Sequence, residues 1–240
     1  MFNRREMKYI LTDETYLTLR NAIEKHMVLD KYCIDEKGYT IHNIYFDTLN
    51  HEVIGHSIEK PIYKEKLRLR SYDTVQLDDK VYLEIKKKYN GIVNKRRISL
   101  TLKDAYRFIE SKEKPEEKPY INKQILGEID YHIQQLPLIP AIFLAYDRVA
   151  FFSKEDKSFR VTFDKNIRTR RYDIGLEYGD YGDLLLEEGT WIMEAKAERA
   201  MPLWFAQLLS KYKVYRSSFS KYGTEYKQNI LHKEIKLKVI

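Results

Sequence analysis

The sequence predicts an α+β fold with a mostly antiparallel sheet, and three observations lead there. Stretches in which apolar and polar residues alternate recur in groups, which is the period of a half-buried strand. Helix-like stretches fall between those groups of strands. Asn90-Gly91 joins two alternating runs, and that dipeptide is a strong hairpin signal.

In order, Glu6 and Lys8 alternate with Met7 and Tyr9 in a first strand ending near Leu11. Thr12 caps the helix that follows, with Asp13 and Glu14 in its first turn, where the helix dipole favours negative charge. Tyr16, Leu19, Ile23 and Met27 continue it at helical spacing. A turn at Glu36-Lys37-Gly38 leads to a strand over 40–47 and then to a short helix or loop over 51–58. Strands over 62–73 and 80–89 come next, and the Asn90-Gly91 turn opens a third, Asn94 to Leu100. Thr101 caps a helix through Ser111, residues 112–118 form a solvated loop, and a further helix covers about 122–135 with Ile125, Ile129 and Ile133 on one stripe.

The second half returns to strands, over 139–152 and 158–164. A polar stretch, 167–189, holds a small hairpin, and Thr190 to Glu198 alternates cleanly. Pro202 suits the first turn of a helix through about Tyr212 that carries Leu203, Phe205, Ala206 and Leu209. The tail after Tyr222 reads as helical, then frayed and basic. No internal repeat, low-complexity tract or linker interrupts the chain, so a single domain over 1–240 is expected.

At 240 residues with a net charge of +7, the chain is long enough to bury a core and suits an anionic partner. Its one cysteine, Cys33, cannot form an internal disulfide, and no secretory signal is visible, so a cytoplasmic setting is expected. The longest nearly apolar run, Leu136 to Tyr146, is too short to span a bilayer and contains Pro137 and Pro140. Phosphate-binding glycine loops are absent, and the six histidines are scattered without ligand spacing. There is also no RNA-recognition signature or basic recognition helix, so nucleic acid is not an expected partner.

The chemistry lies on strand faces. Lys64, Lys66, Arg68 and Arg70 occupy alternate positions and therefore point to one side of an extended strand. Two like charges about 4 Å apart repel by roughly 4 kcal/mol at an effective dielectric near 20, so water or an anion must answer such a row. Collected by face, the strands offer Lys8, Lys66, Arg68, Arg70, Lys86, Lys95, Arg148, Arg160 and Lys196 beside the carboxylates Glu6, Glu84, Asp164 and Glu194. Arg provides planar bidentate contacts to phosphate and Lys a point charge. The carboxylates, Glu6, Glu84, Asp164 and Glu194, supply the hard oxygen ligands that a divalent metal needs.

Glu6-Met7-Lys8-Tyr9, Ile44 to Asp47, Leu67 to Tyr72, Leu83 to Lys86, Lys95 to Arg97, Tyr146 to Phe151, Phe159-Arg160, Phe163-Asp164, Met193 to Lys196 and Phe219 to Lys221 together carry a family resemblance. In that order they resemble the polyphosphate polymerase domain of the vacuolar transporter chaperone family, within the triphosphate tunnel metalloenzymes, the CYTH-like superfamily. The resemblance implies a closed β-barrel with flanking helices, a tunnel binding ATP and polyphosphate or orthophosphate, and a divalent metal, manganese or magnesium. It implies that Lys8, Arg68, Arg70, Lys86, Arg148 and Arg160 act on the transferring phosphates, with Lys95 and Tyr146 beside them. Glu194 would hold the metal, and Ser220 and Lys221, on the resemblance alone, would close on phosphate; Lys196 joins this set by its face.

The reaction so implied is transfer of the terminal phosphoryl of ATP to a polyphosphate end. Its alternatives are hydrolysis of tripolyphosphate or nucleoside triphosphate in the same tunnel, and a polyphosphate-binding module without turnover. The hydrolytic branch resembles itself in a Glu-x-Glu-x-Lys first strand. Here Arg4 stands at the first acidic position, which disfavours a full acidic metal site and fits the polymerase branch. Any membrane partner would lie outside this chain, and oligomeric state is left open.

Overall fold

A computed structural model describes residues 5–33, 38–198 and 200–232. Arg4, Glu36 and Lys37 of the expected turn, and the basic tail beyond His232 lie outside the described residues. The fold is α+β and rich in antiparallel sheet. The chain forms two compact units, each discontinuous in sequence, and β3 (Tyr39–Asp47), β7 (Ile139–Ser153) and β8 (Arg160–Arg170) contribute residues to both.

Of the described residues, the first unit comprises 5–33, 38–40, 146–167, 184–198 and 200–221. It contains β1 (Arg5–Thr12), α1 (Asp13–Ile23), β2 (Met27–Leu29), β10 (Thr190–Ala197), α5 (Leu203–Lys211) and β11 (Arg216–Ser217). Its strand order is β11-β1-β10-β8-β7, with β2 also paired to β7. Thr12 caps α1 through its hydroxyl as the sequence predicts, but Met27 does not extend that helix. Glu24 closes α1, and Met27 opens β2 opposite Ser153, because pairing with β7 outweighs a propensity that is weak over one turn. Tyr9, Leu11, Met193, Ala195, Val161 and Phe163 pack the apolar strand face against α1 and α5, where Tyr16 stacks on Trp191 with ring centroids 3.6 Å apart.

Of the described residues, the second unit holds 41–145, 168–183 and 222–232. There β4 (Tyr63–Tyr72), β5 (Lys80–Tyr89) and β6 (Ile92–Thr101) extend from β3 in the order β3-β4-β5-β6. Asn90 and Gly91 both take positive φ, 44° and 84°, as a primed two-residue turn requires, and glycine adopts that conformation without strain. Helices α3 (Leu102–Ser111) and α4 (Lys123–Gln135), capped by Thr101 and Asn122, pack Phe108, Leu126, Ile129 and Ile133 onto the apolar face carrying Leu67, Leu69, Leu83 and Ile85. Each such side chain contributes about 1.5–3 kcal/mol by burial.

Helix α2 (Glu52–Ile58) starts where Asp47 accepts hydrogen bonds from the amides of Val53 and Ile54. Tyr222 and Tyr226 of α6 (Lys221–Tyr226) pack with Ile54, Ala141 and Ile142, and a π-helical turn, Lys227–Leu231, follows. The short strand β9 (Asp183–Leu184) pairs with β8, which runs to Arg170, six residues past its expected end. The hydrogen-bonded strand order ends on β11 and on β6, which are not joined among the described residues, so hydrogen bonding does not close the sheet into the expected barrel. No described helix is long and apolar enough to cross a membrane.

Candidate functional site

Two clusters of charge stand on polar strand faces, one in each unit. In the first unit, antiparallel register sets Lys8 opposite Glu194 and Glu194 opposite Thr162; one step along, Glu6 faces Lys196 and Lys196 faces Arg160. Opposed side chains share a face, so strand alternation delivers all six to one side.

Glu194 is the centre of this cluster. Its carboxylate lies 2.9 Å from Lys196 Nζ, 3.3 Å from Lys8 Nζ, 3.8 Å from Lys221 Nζ and 4.0 Å from Arg148 Nη2. Lys8 also reaches Glu6 at 3.5 Å. Beside it, Arg148 donates to both oxygens of Asp164 at 2.6 and 2.7 Å, and Lys221 reaches Asp164 Oδ2 at 2.6 Å. Burial would raise the Glu194 carboxyl, but Lys196, Lys8, Lys221 and Arg148 hold it well below the usual carboxylate range. Asp164 is lowered against burial by Arg148 and Lys221, and Arg148 is raised well above its ordinary value by Asp164 despite its own burial. Tyr146 presents its ring to both cations, 4.4 Å from Lys221 Nζ and 5.1 Å from the Arg148 guanidinium carbon. Ser220, half-buried, immediately precedes Lys221.

Arg160 is turned elsewhere on the same unit, with Nη2 at 3.4 Å from Asp30 and 3.2 Å from the Tyr39 hydroxyl, above the Phe152 ring. Asp30 and Tyr39 were not among the expected site residues. Asp30 lies outside the alternating strands, and Tyr39, although on the same β3 face as Asn43 and Tyr45, meets Arg160 only through the fold.

The second cluster surrounds Glu84, which is fully buried. Arg68 donates through Nε at 2.8 Å and also lies at 2.7 Å through Nη2, both to Oε2, while Lys95 Nζ holds Oε1 at 2.8 Å. Arg70 and Arg97 approach to 3.9 Å. Register explains the convergence, since Arg68, Glu84 and Arg97 lie opposite one another across β4, β5 and β6. Burial alone would raise the Glu84 carboxyl; Arg68, Arg70 and Lys95 keep it well below its ordinary value. One register step away, Lys66, Lys86 and Lys95 form a lysine row across the same three strands, with Lys66 lying 5.7 Å from the Tyr222 ring centre. Burial lowers Lys95 to about 8 even though Glu84 opposes that shift.

Two further groups complete this cluster. Asn43 accepts from Arg70 Nε at 3.0 Å, and the buried Tyr45 hydroxyl accepts from Arg68 Nη1 at 3.1 Å. Burial would raise the Tyr45 hydroxyl, yet Arg68, Arg70 and Lys66 bring it down to about 8. Tyr45 and Asn43 were missed as site residues, and the signal was available: they alternate along β3 opposite Arg68 and Arg70.

The expected carboxylates therefore separate: Glu6 and Glu194 belong to the first unit and Glu84 to the second. Among the described residues no three of His, Cys, Asp and Glu gather in a metal-holding group. A cleft of about 310 Å³ lined by Asp13, Lys165, Asn166, Trp191 and neighbours shares no residue with either cluster.

Comparison with known proteins first defines a class. The chain shares its fold with a candidate adenylate cyclase from Bacillus halodurans (TM-score 0.57, 12% identity, covering 95% of this chain and 99% of that one). It also matches a candidate adenylate cyclase from Vibrio parahaemolyticus (TM-score 0.51, 12% identity, 92% and 96% covered). A third match is a candidate adenylyl cyclase from Hippeastrum described as revealing a dominant triphosphatase activity (TM-score 0.50, 15% identity, 94% and 96% covered). At 12–15% identity these likenesses define a shared fold. Within that class the chain belongs to the VTC domain family, whose match runs over residues 3–230. No curated protein matches it.

Proposed function

We propose that this protein is a metal-dependent phosphotransferase that lengthens polyphosphate with the terminal phosphoryl of ATP, within the basic tunnel that the family fold implies. The observation that carries the reading is Glu194, a buried carboxylate approached by four cations, Lys8, Lys196, Lys221 and Arg148. Cations in excess of the acids they surround are matched by a polyanion, and phosphate oxygens compete for the same donors.

In this reading a terminal oxygen of the acceptor phosphate attacks the γ-phosphorus, a new P–O bond forms, and the bond to the bridging oxygen breaks to release ADP. No covalent protein intermediate is required. Arg148, Arg160, Lys8, Lys196 and Lys221, and in the other cluster Arg68, Arg70, Lys86 and Lys95, hold and neutralise phosphate oxygens. Tyr146 backs Arg148 and Lys221, and Ser220 closes beside Lys221. Their contribution is alignment and electrostatic stabilisation, the main terms in phosphoryl transfer.

Glu194 fits a divalent metal, because such ions are commonly bound by one or two carboxylates together with substrate phosphates. Glu6, 3.5 Å from Lys8, is the second candidate ligand of the same cluster. Glu84 has both oxygens committed to Arg68 and Lys95, so we assign it to charge compensation in place of the metal role expected from sequence. The metal supplies charge neutralisation on the transferring phosphoryl when bound. The cytoplasmic assignment belongs to the same proposal and is supported by the single, unpaired Cys33.

A second reading, hydrolysis of triphosphates, is raised by the dominant triphosphatase activity named for the Hippeastrum neighbour. The sequence argues for transfer, since Glu6 is preceded by Arg4 where the hydrolytic pattern has its first acidic residue. Incubating the purified protein with ATP and manganese separates the readings. Long-chain polyphosphate on a gel supports transfer, orthophosphate alone supports hydrolysis, and binding without ATP consumption leaves a polyphosphate-binding module.

A further inference from the structure

Two buried donors on the charged face of β8, Arg160 Nε and Thr162 Oγ1, have no hydrogen-bond partner. Thr162 is the more informative because it is completely buried and directly opposite Glu194 in the β10–β8 register. Opposed residues have Cβ atoms about 4.5–5.5 Å apart, which makes this hydroxyl and that carboxylate neighbours. A buried hydroxyl without a partner is destabilising by about 1–3 kcal/mol. Valine has the same shape and equal strand preference, so the fold alone gives no reason for threonine here.

Glu194, meanwhile, is held by groups that phosphate would also attract. Lys196 at 2.9 Å and Lys8 at 3.3 Å carry compact charges on flexible stems, and both can swing to a phosphate oxygen. Each departure leaves a buried carboxylate short of a donor, which is costly in a low-dielectric setting. We propose that Thr162 is a positioning residue for Glu194: its hydroxyl donates to the carboxylate when phosphate draws Lys8 and Lys196 away, and so holds Glu194 in one orientation. The inference rests on the phosphate-binding reading above. It explains why a hydroxyl is placed among charges and yet unused while the lysines are home.

The test is calorimetric titration of the full chain with tripolyphosphate in the presence of a chelator, alongside thermal unfolding, for wild type, Thr162→Val and Thr162→Ser. Thr162→Val is expected to unfold at the wild-type temperature or above, because it removes an unpartnered hydroxyl, and to bind about tenfold more weakly, the effect of one lost hydrogen bond to a charged group. Thr162→Ser is expected to bind within about twofold of wild type, since it keeps the donor. A Thr162→Val protein that binds as tightly as wild type overturns the proposal. So does one that unfolds well below wild type or fails to fold, because the hydroxyl would then already be in use. If wild type itself binds no tripolyphosphate, the phosphate reading falls and this inference with it; if wild type binds and Thr162→Val matches it, only the role of Thr162 is lost.

Discussion

The two charge clusters solve the same electrostatic problem differently. Around Glu84, three arginines and one lysine approach a single buried carboxylate, and its two oxygens are taken by Arg68 and Lys95 at 2.7 to 2.8 Å. Around Glu194, three lysines and one arginine approach, of which Lys221 and Arg148 are shared with a second buried acid, Asp164, and only Lys196 comes within 3 Å. Arginine forks set a fixed geometry, whereas lysine is a mobile point charge. The comparison teaches that the Glu84 carboxylate has both oxygens held closely, whereas Glu194 has one close partner; in the proposed reading the first serves as a counter-ion and the second exchanges its partners with phosphate.

The largest effect is expected at Glu84. Glu84→Ala leaves Arg68, Arg70, Lys95 and Arg97 without their shared acid, and removal of one member of a buried pair costs about 3–5 kcal/mol. Glu194→Gln should cost less, about 1.5–3 kcal/mol, because Asp164 still answers Arg148 and Lys221. Denaturant unfolding of both variants measures the gap. Equal losses would erase the distinction between the clusters.

Acid titration sharpens it. Glu84 and Glu194 both titrate well below their ordinary value of 4.5 in the folded chain, so their stabilisation is complete above about pH 4.5 and is lost as pH falls toward the depressed values. The slope of stability against pH below 4.5 should therefore flatten in Glu84→Gln. An unchanged slope in that variant would remove the buried counter-ion role.

A smaller effect distinguishes the clusters near neutrality. Lys95 and Tyr45, both in the Glu84 cluster, titrate at about 8. As pH rises through that value Lys95 loses its positive charge and Tyr45 gains a negative one, so tripolyphosphate affinity should fall. Lys95→Met should start weaker and vary less over the same range. Ultraviolet titration should also reveal one early-ionising tyrosine among the 20, absent in Tyr45→Phe. If Tyr45→Phe leaves the early step in place, the Arg68–Tyr45 pairing is not what lowers it.

The smallest stability change is expected for Lys196→Ala, within about 1 kcal/mol, because the side chain is a quarter exposed and Glu194 keeps Lys8 and Lys221. Turnover should nevertheless fall severalfold in the ATP assay. A fall in stability matching that of Glu84→Ala would show that Lys196 is not exchangeable.

Much of the fold was legible. The first strand, the Thr12 and Thr101 caps, the Asn90-Gly91 hairpin, and the strands over 63–72 and 80–89 occur where local chemistry puts them. What failed was local pattern without pairing information: Met27 sits at helical spacing yet joins a strand, and β8 runs past its expected end at Asp164 to Arg170, into the polar stretch assigned a small hairpin. At the candidate site, the basic faces of β4, β5 and β10 were readable from alternation. Tyr45 and Asn43 carried the same alternating signal along β3 and were passed over, whereas the meeting of Asp30 and Tyr39 with Arg160 was not readable, because it spans a distance in sequence that no short-range period reports.

By itself the sequence determined which side of each strand is charged, since side chains alternate with a two-residue period whatever the strand is paired to. Only the tertiary structure decided which base answers which acid. Lys8 meets Glu194, Arg148 and Lys221 meet Asp164, and Arg68 meets Glu84 because strand register and helix docking bring together groups far apart along the chain. The energy of a charge depends on burial and on its partner's distance, and both are properties of the folded chain.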